Sequence, residues 1–134
     1  MTEQNVELVR RGFEAFARGE IESVLDLTDP DVTWVPGIAP LLGVDTIQGK
    51  DALRRFFVEQ LFEGFDAFRA EPLSFEDLGD SVLVVSRYIG RGESTGLEVD
   101  QTFFAVYTLR AGKIVAFRDY ETRADALEAV GQRE

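Results

Sequence analysis

Residues 112–129 read GKIVAFRDYETRADALEA, and two periodicities meet in them. From Lys113 to Tyr120 the side chains follow a strand, in which residues two apart share a face. Val115, Phe117 and Asp119 therefore lie on one side, and Ala116, Arg118 and Tyr120 on the other. From Thr122 the pattern turns helical over 122–131. Thr122 is placed to cap that helix, with Asp125 three residues on as a weaker relative of the capping-box glutamate. The Val115–Phe117 face is the natural one to bury, and it carries Asp119 inward with it.

Working outward, the second half of the chain reads as strands. FRAEPLSFEDLG, SVLVVSRYIGRG, LEVDQTFFAVYTLR and KIVAFRDYE are separated by turns at Gly79-Asp80, Glu93–Gly96 and Ala111-Gly112. Four neighbouring strands with short links favour an antiparallel meander. The first half reads as helices. Val6, Val9, Phe13 and Phe16 form one apolar stripe. Ile21, Val24 and Leu25 start a shorter helix, which Pro30 ends. VTWV at 32–35 is a short strand, 36–48 an apolar loop, and Lys50–Phe62 a third helix that buries Leu53, Phe56, Phe57 and Leu61. The order predicts an α+β class with one domain over 1–134.

Composition narrows the chemistry. The 134 residues are 45% hydrophobic and 29% charged, as in ordinary globular proteins. The 11 Phe residues point to a thick core or a ring-lined cavity. A formal net charge of −11 disfavours nucleic acid and anionic membranes as partners. With no Cys and no His there is no thiol nucleophile, no Ser-His-Asp catalysis and no obvious metal site. Acid–base work falls to Asp, Glu, Tyr, Lys or water, and no cofactor is expected. No stretch has the apolar length of a signal peptide or a membrane span, so a cytoplasmic location is expected.

In SVLVVSRYIG, Leu83, Val85, Arg87 and Ile89 share a face. That row is read as the inward one, so Arg87 is a cation among apolar groups and needs a partner. Asp119 is the obvious one. In the next strand both faces are rich in large apolar groups. A sheet with helices on one side should show a polar second face, so a homodimer through the outer sheet face is expected, using Ala105, Tyr107, Arg118 and Tyr120. The loop residues Ile38, Leu41, Leu42 and Val44 either cover a cavity or meet another subunit.

Three segments, VRRGFEAFARGEIESVLDLTDPDVTWVPG, QGKDALRRFF and GKIVAFRDYETRADALEA, together resemble the SnoaL-like branch of the nuclear-transport-factor-2-like superfamily. The resemblance implies a cystatin-like cone: N-terminal helices packed in a strongly curved, mainly antiparallel sheet around a pocket. In the epoxide-hydrolase-like members an aspartate polarises a water, and an arginine holds that aspartate. These roles would fall on Asp119 and Arg87. That family's second aspartate is replaced by Ile89, and its tyrosine and asparagine by Trp34 and Pro36, which argues against epoxide hydrolysis. The proton-exchanging groups of ketosteroid isomerases would fall at Phe13, near Val35 and near Phe104, none of which titrates. A single pocket aspartate, as SnoaL-type cyclases use, is still available in Asp119.

The sequence thus predicts a small hydrophobic ligand held in a conical pocket. Asp119 and Arg87 are the catalytic candidates. Phe13, Trp34, Leu41, Ile89, Asp100, Thr102, Phe104 and Phe117 are the candidate ligand contacts, and no metal is assigned. The reaction would be a cofactor-free isomerisation, cyclisation or dehydration. The alternatives are a binding or sensing module without turnover, and a dimeric interaction module of the same fold.

Overall fold

The computed structural model describes residues 2–93 and 96–131. Its elements run α1 Thr2–Ala17, α2 Ile21–Leu25, β1 Thr28–Val35, α3 Ala39–Leu42, β2 Ile47–Gln48 and α4 Lys50–Arg55. Helix α4 continues as a π-helical stretch, Phe56–Phe62. Then come β3 Phe65–Asp77, β4 Ser81–Gly92, β5 Glu98–Arg110, β6 Lys113–Tyr120 and α5 Arg123–Ala129. The strands form one curved sheet in the order β2-β1-β6-β5-β4-β3. Only the β1–β6 pair is parallel; the rest are antiparallel. The fold is therefore the expected α+β arrangement, with a mostly antiparallel sheet wrapped on N-terminal helices. Among the described residues no helix is long and apolar enough to cross a membrane.

Boundaries moved where tertiary pairing outweighed local signals. Strand β1 starts at Thr28 rather than Val32 and runs through exposed Pro30. Its register on β6 slips between Thr28 and Thr33, so the proline sits where the ladder is interrupted. The apolar loop 36–48 contains α3 and β2. The expected turn at Glu93–Gly96 lies partly outside the described residues.

Cross-strand register fixes which face is which. Val82, Val84, Ser86 and Tyr88 of β4 oppose Tyr107, Ala105, Phe103 and Gln101 of β5. Ala105 and Tyr107 in turn oppose Asp119 and Phe117 of β6. This row is concave, and α1 lies against the neighbouring β3 and β4. The other row pairs Leu83, Val85, Arg87 and Ile89 with Val106, Phe104, Thr102 and Asp100.

The outer apolar surface is partly covered from within the chain. Leu83 and Val106 form a second, small core with Ala126 and Leu127 of α5, flanked by Phe104 and Tyr120. The Thr122 hydroxyl accepts the Asp125 backbone N–H at 3.1 Å and starts α5 where the sequence indicates. This corrects the surface expected for a dimer: Ala105 and Tyr107 are interior residues, 0% and 6% exposed. Tyr107 packs edge-on against Phe13 of α1 and Ala105 lies in the main core, so they are not free to meet a second copy.

Leu127 tests this arrangement. Leu127→Ala should cost about 2–4 kcal/mol, read as a lower urea midpoint with an unchanged denaturant slope. A loss below about 1 kcal/mol would mean that α5 does not hold the outer face.

Candidate functional site

The concave row ends at Asp119, a buried carboxyl that is 8% exposed. Its cross-strand neighbour is Ala105. Two donors reach the carboxyl from different elements. The backbone N–H of Gly37, just past β1, donates to Oδ2 at 2.8 Å. The Tyr88 hydroxyl, two strands away on β4, donates to Oδ1 at 3.0 Å. Gly37 must be glycine here, because a Cβ would come 2.4 Å from the Phe103 ring. The bare backbone lets the loop pass closely enough to deliver its N–H.

Asp119 lies between two spaces. On one side is a narrow apolar cavity of about 70 Å³. Trp34 and Phe117 stack along its wall with centroids 4.2 Å apart. Tyr107 meets Phe117 at 4.9 Å. Phe57 and Leu61, from the π-helical stretch, and Phe13 from α1 close it. On the other side is a polar cleft of about 320 Å³ bordered by Pro40, Asp45, Phe103, Arg118 and Glu121.

Burial decides the electrostatics. It pushes the Asp119 carboxyl up to about 7, and the Gly37 N–H and the Tyr88 hydroxyl offset only part of the rise by favouring the ionised form. Burial also raises Tyr88 and Tyr107 well above the usual phenol range, with the Asp119 charge adding to both. The site therefore holds a carboxyl that exchanges its proton near neutral pH, beside two phenols that stay protonated.

The expected partnership of Asp119 with Arg87 does not form. Arg87 is on the convex face, where its guanidinium forms a bidentate pair with Asp100, both bonds 2.9 Å. Both groups are exposed, so the pair adds little stability. Asp100, Thr102, Phe104 and Ile89 share that convex row and face away from the cavity. The reason is the charge itself: turning the Arg87 row outward avoids burying a cation. Leu41 is 46% exposed on α3 and lies off the cavity, whose lining takes Ile38 from that loop instead. Phe13, Trp34, Phe117 and Asp119 do line it.

Tyr88, Tyr107 and the Gly37 backbone were missed. A signal for Tyr88 was present. Its row, Val82-Val84-Ser86-Tyr88, carries no charge and is the better one to bury. The Gly37 contact spans 82 residues of sequence and leaves no local pattern.

The family model for the SnoaL-like domain matches residues 9–117. No curated protein matches the chain in sequence. Among solved structures, an NTF2-like protein from Burkholderia xenovorans LB400 is 27% identical over 90% of each chain, with a TM-score of 0.72. An NTF2-like protein of unknown function from Burkholderia pseudomallei K96243 is 25% identical, covering 93% of this chain and 95% of that one, with a TM-score of 0.74. TerC, co-crystallised with polyporic acid, is 23% identical over 96% of this chain and 99% of its own, with a TM-score of 0.73. At that identity the likeness to TerC shows the fold.

The raised carboxyl has a consequence for stability. Unfolded, Asp119 titrates near ~3.9; folded, it does so at about 7. Between these values the folded state keeps a proton that the unfolded chain has lost, so stability falls as pH rises from about 4 to about 7. The full loss is on the order of 4 kcal/mol. Asp119→Asn should remove it, because the Asn oxygen can accept from Gly37 and its amide can donate to a turned Tyr88 hydroxyl. Urea unfolding at steps between pH 4 and 8 measures the difference between the two proteins. Parallel pH curves would show that Asp119 is not shifted.

Proposed function

The chain belongs to the SnoaL-like family, and we propose that it binds a small, largely apolar organic molecule in the cavity and moves a proton on it with Asp119. The reaction class is isomerisation, aldol-type cyclisation or dehydration, run without a cofactor. The observation that carries this reading is the buried carboxyl at the cavity wall, held by two donors and titrating at about 7. Such a group takes a proton as readily as it returns one at neutral pH. Rings and aliphatic groups on the remaining wall supply binding through apolar contact. TerC, which shares the fold, was co-crystallised with an organic acid, polyporic acid, and this supports a ligand-binding role for the cone.

Arg87 has no part in this reading, since it stands on the opposite face of the sheet. A second reading, binding without turnover, draws on the narrow cavity of about 70 Å³ and its shortage of polar groups.

Hydrogen exchange at carbon separates the two. A panel of small enolisable ketones in deuterated buffer should show protein-dependent exchange next to the carbonyl. Asp119→Asn should lower the rate by a factor on the order of 10²–10⁴ while ligand still binds. Binding without exchange in the wild type would leave only the second reading.

A further inference from the structure

Pro36 and Asp119 border both spaces of the site, so the apolar cavity and the polar cleft share a wall at these two residues. Residues 36–46, which include α3, run from β1 to β2 across that wall. This strap is bonded chiefly to itself. The Ala39 N–H donates to the Pro36 carbonyl, Leu41 to Ile38, Gly43 to Pro40 and Val44 to Ala39. Among the described residues, the Gly37 N–H bond to Asp119 is the one hydrogen bond that ties the strap to the rest of the molecule. Its other hold is apolar burial at Pro36, Ile38 and Ala39.

Size makes this wall matter. An apolar cavity of about 150 Å³ takes one benzene, and ligand sites commonly run to about 300–1,000 Å³. The closed cavity has about 70 Å³, while the cleft beyond the strap has about 320 Å³. A ring-sized molecule reaches the inner rings only by displacing a wall. The other walls are core: Trp34 is stacked on Phe117, and Phe57 and Leu61 are fully packed. The strap is the wall with the least support.

We infer that the strap 36–46 is the gate of the cavity, latched by the Gly37–Asp119 hydrogen bond, and that a ring-sized apolar ligand occupies cavity and cleft joined together with the latch broken. The inference rests on the proposed function for the place of binding, but the latch is measurable without any substrate. A ligand that binds only the open form draws the population toward it, so binding loosens the strap instead of tightening it. The closed form, being the favoured one, lowers the observed affinity in proportion to the fraction open. A substitution that unseats the strap therefore strengthens binding. Gly37→Ala does this, because its Cβ would lie 2.4 Å from the Phe103 ring when the strap is seated. Gly37 borders the cleft and not the cavity, so the change leaves the inner wall as it is.

Benzene is the probe, and amide hydrogen exchange at position 37 is the reading. In the wild type without ligand, this amide should exchange about 10–10³-fold more slowly than in an unstructured peptide. Low urea should leave that rate unchanged, while the central amides of β5 exchange only through global unfolding. Benzene should speed exchange at position 37. By NMR titration, Gly37→Ala should bind benzene about three- to tenfold more tightly than the wild type. An amide at position 37 that exchanges only in step with β5, or that benzene protects, would overturn the inference. The wild type alone supplies both results, so they decide even if Gly37→Ala folds poorly. Equal or weaker benzene binding by folded Gly37→Ala would also overturn it. Failure of both proteins to take benzene would overturn it together with the proposed binding. A gate that opens as described in a protein without ketone exchange would remove only the proton transfer.

Discussion

One carboxyl in an apolar enclosure constrains much of this molecule. Asp119 is carried inward by the alternation of β6, where ionisation is unfavourable. Two donors from distant parts of the chain make the position tolerable. Each imposes a condition on the fold. The Gly37 N–H reaches it only because the segment after β1 passes tightly over Phe103 without a side chain of its own. The Tyr88 hydroxyl reaches it only because β4, β5 and β6 are in a register that puts Tyr88, Ala105 and Asp119 on the same concave face. Loop, sheet register and titration are thus one arrangement seen at three levels.

The aromatic content follows from the same enclosure. A cavity wall must stay apolar to keep the carboxyl raised, and it must be rigid to stay open. Stacked and edge-on rings supply both: Trp34 on Phe117, Phe57 against Trp34, and Tyr107 between Phe13 and Phe117. The π-helical stretch after α4 carries Phe57 and Leu61 to this wall, in keeping with the tendency of π turns to occur near sites. On the convex face α5 packs its own apolar side chains over Leu83 and Val106. The two faces divide the work, with charges such as Arg87 and Asp100 left in solvent.

The architecture was legible in the sequence because it rests on strong local signals. The stripe of α1, the cap at Thr122 and the strand alternation of β6 each point to what the chain forms. Asp119 was legible for the same reason. Its partners were not. Phase is ambiguous in β4 and β5, where both rows hold large apolar groups, and a one-residue change of phase exchanges the faces. Reading Leu83-Val85-Arg87-Ile89 as the inner row put Arg87, Asp100, Thr102, Phe104 and Ile89 on the wrong side. It also left Tyr88 and Tyr107 out of the site. The lone charge in that row was the better guide, since an uncharged row stood beside it. The Gly37 contact depends on a close approach that appears only in three dimensions.

The titration of Asp119 itself tests the account most directly. Carbon-detected NMR of the side-chain carboxyl follows it across pH, with the resonance assigned by its loss in Asp119→Asn. The account predicts a midpoint at about 7. A midpoint near ~4, the ordinary value for an aspartate, would contradict it: the carboxyl would then be solvated or more strongly paired, and unfit to trade a proton at neutral pH.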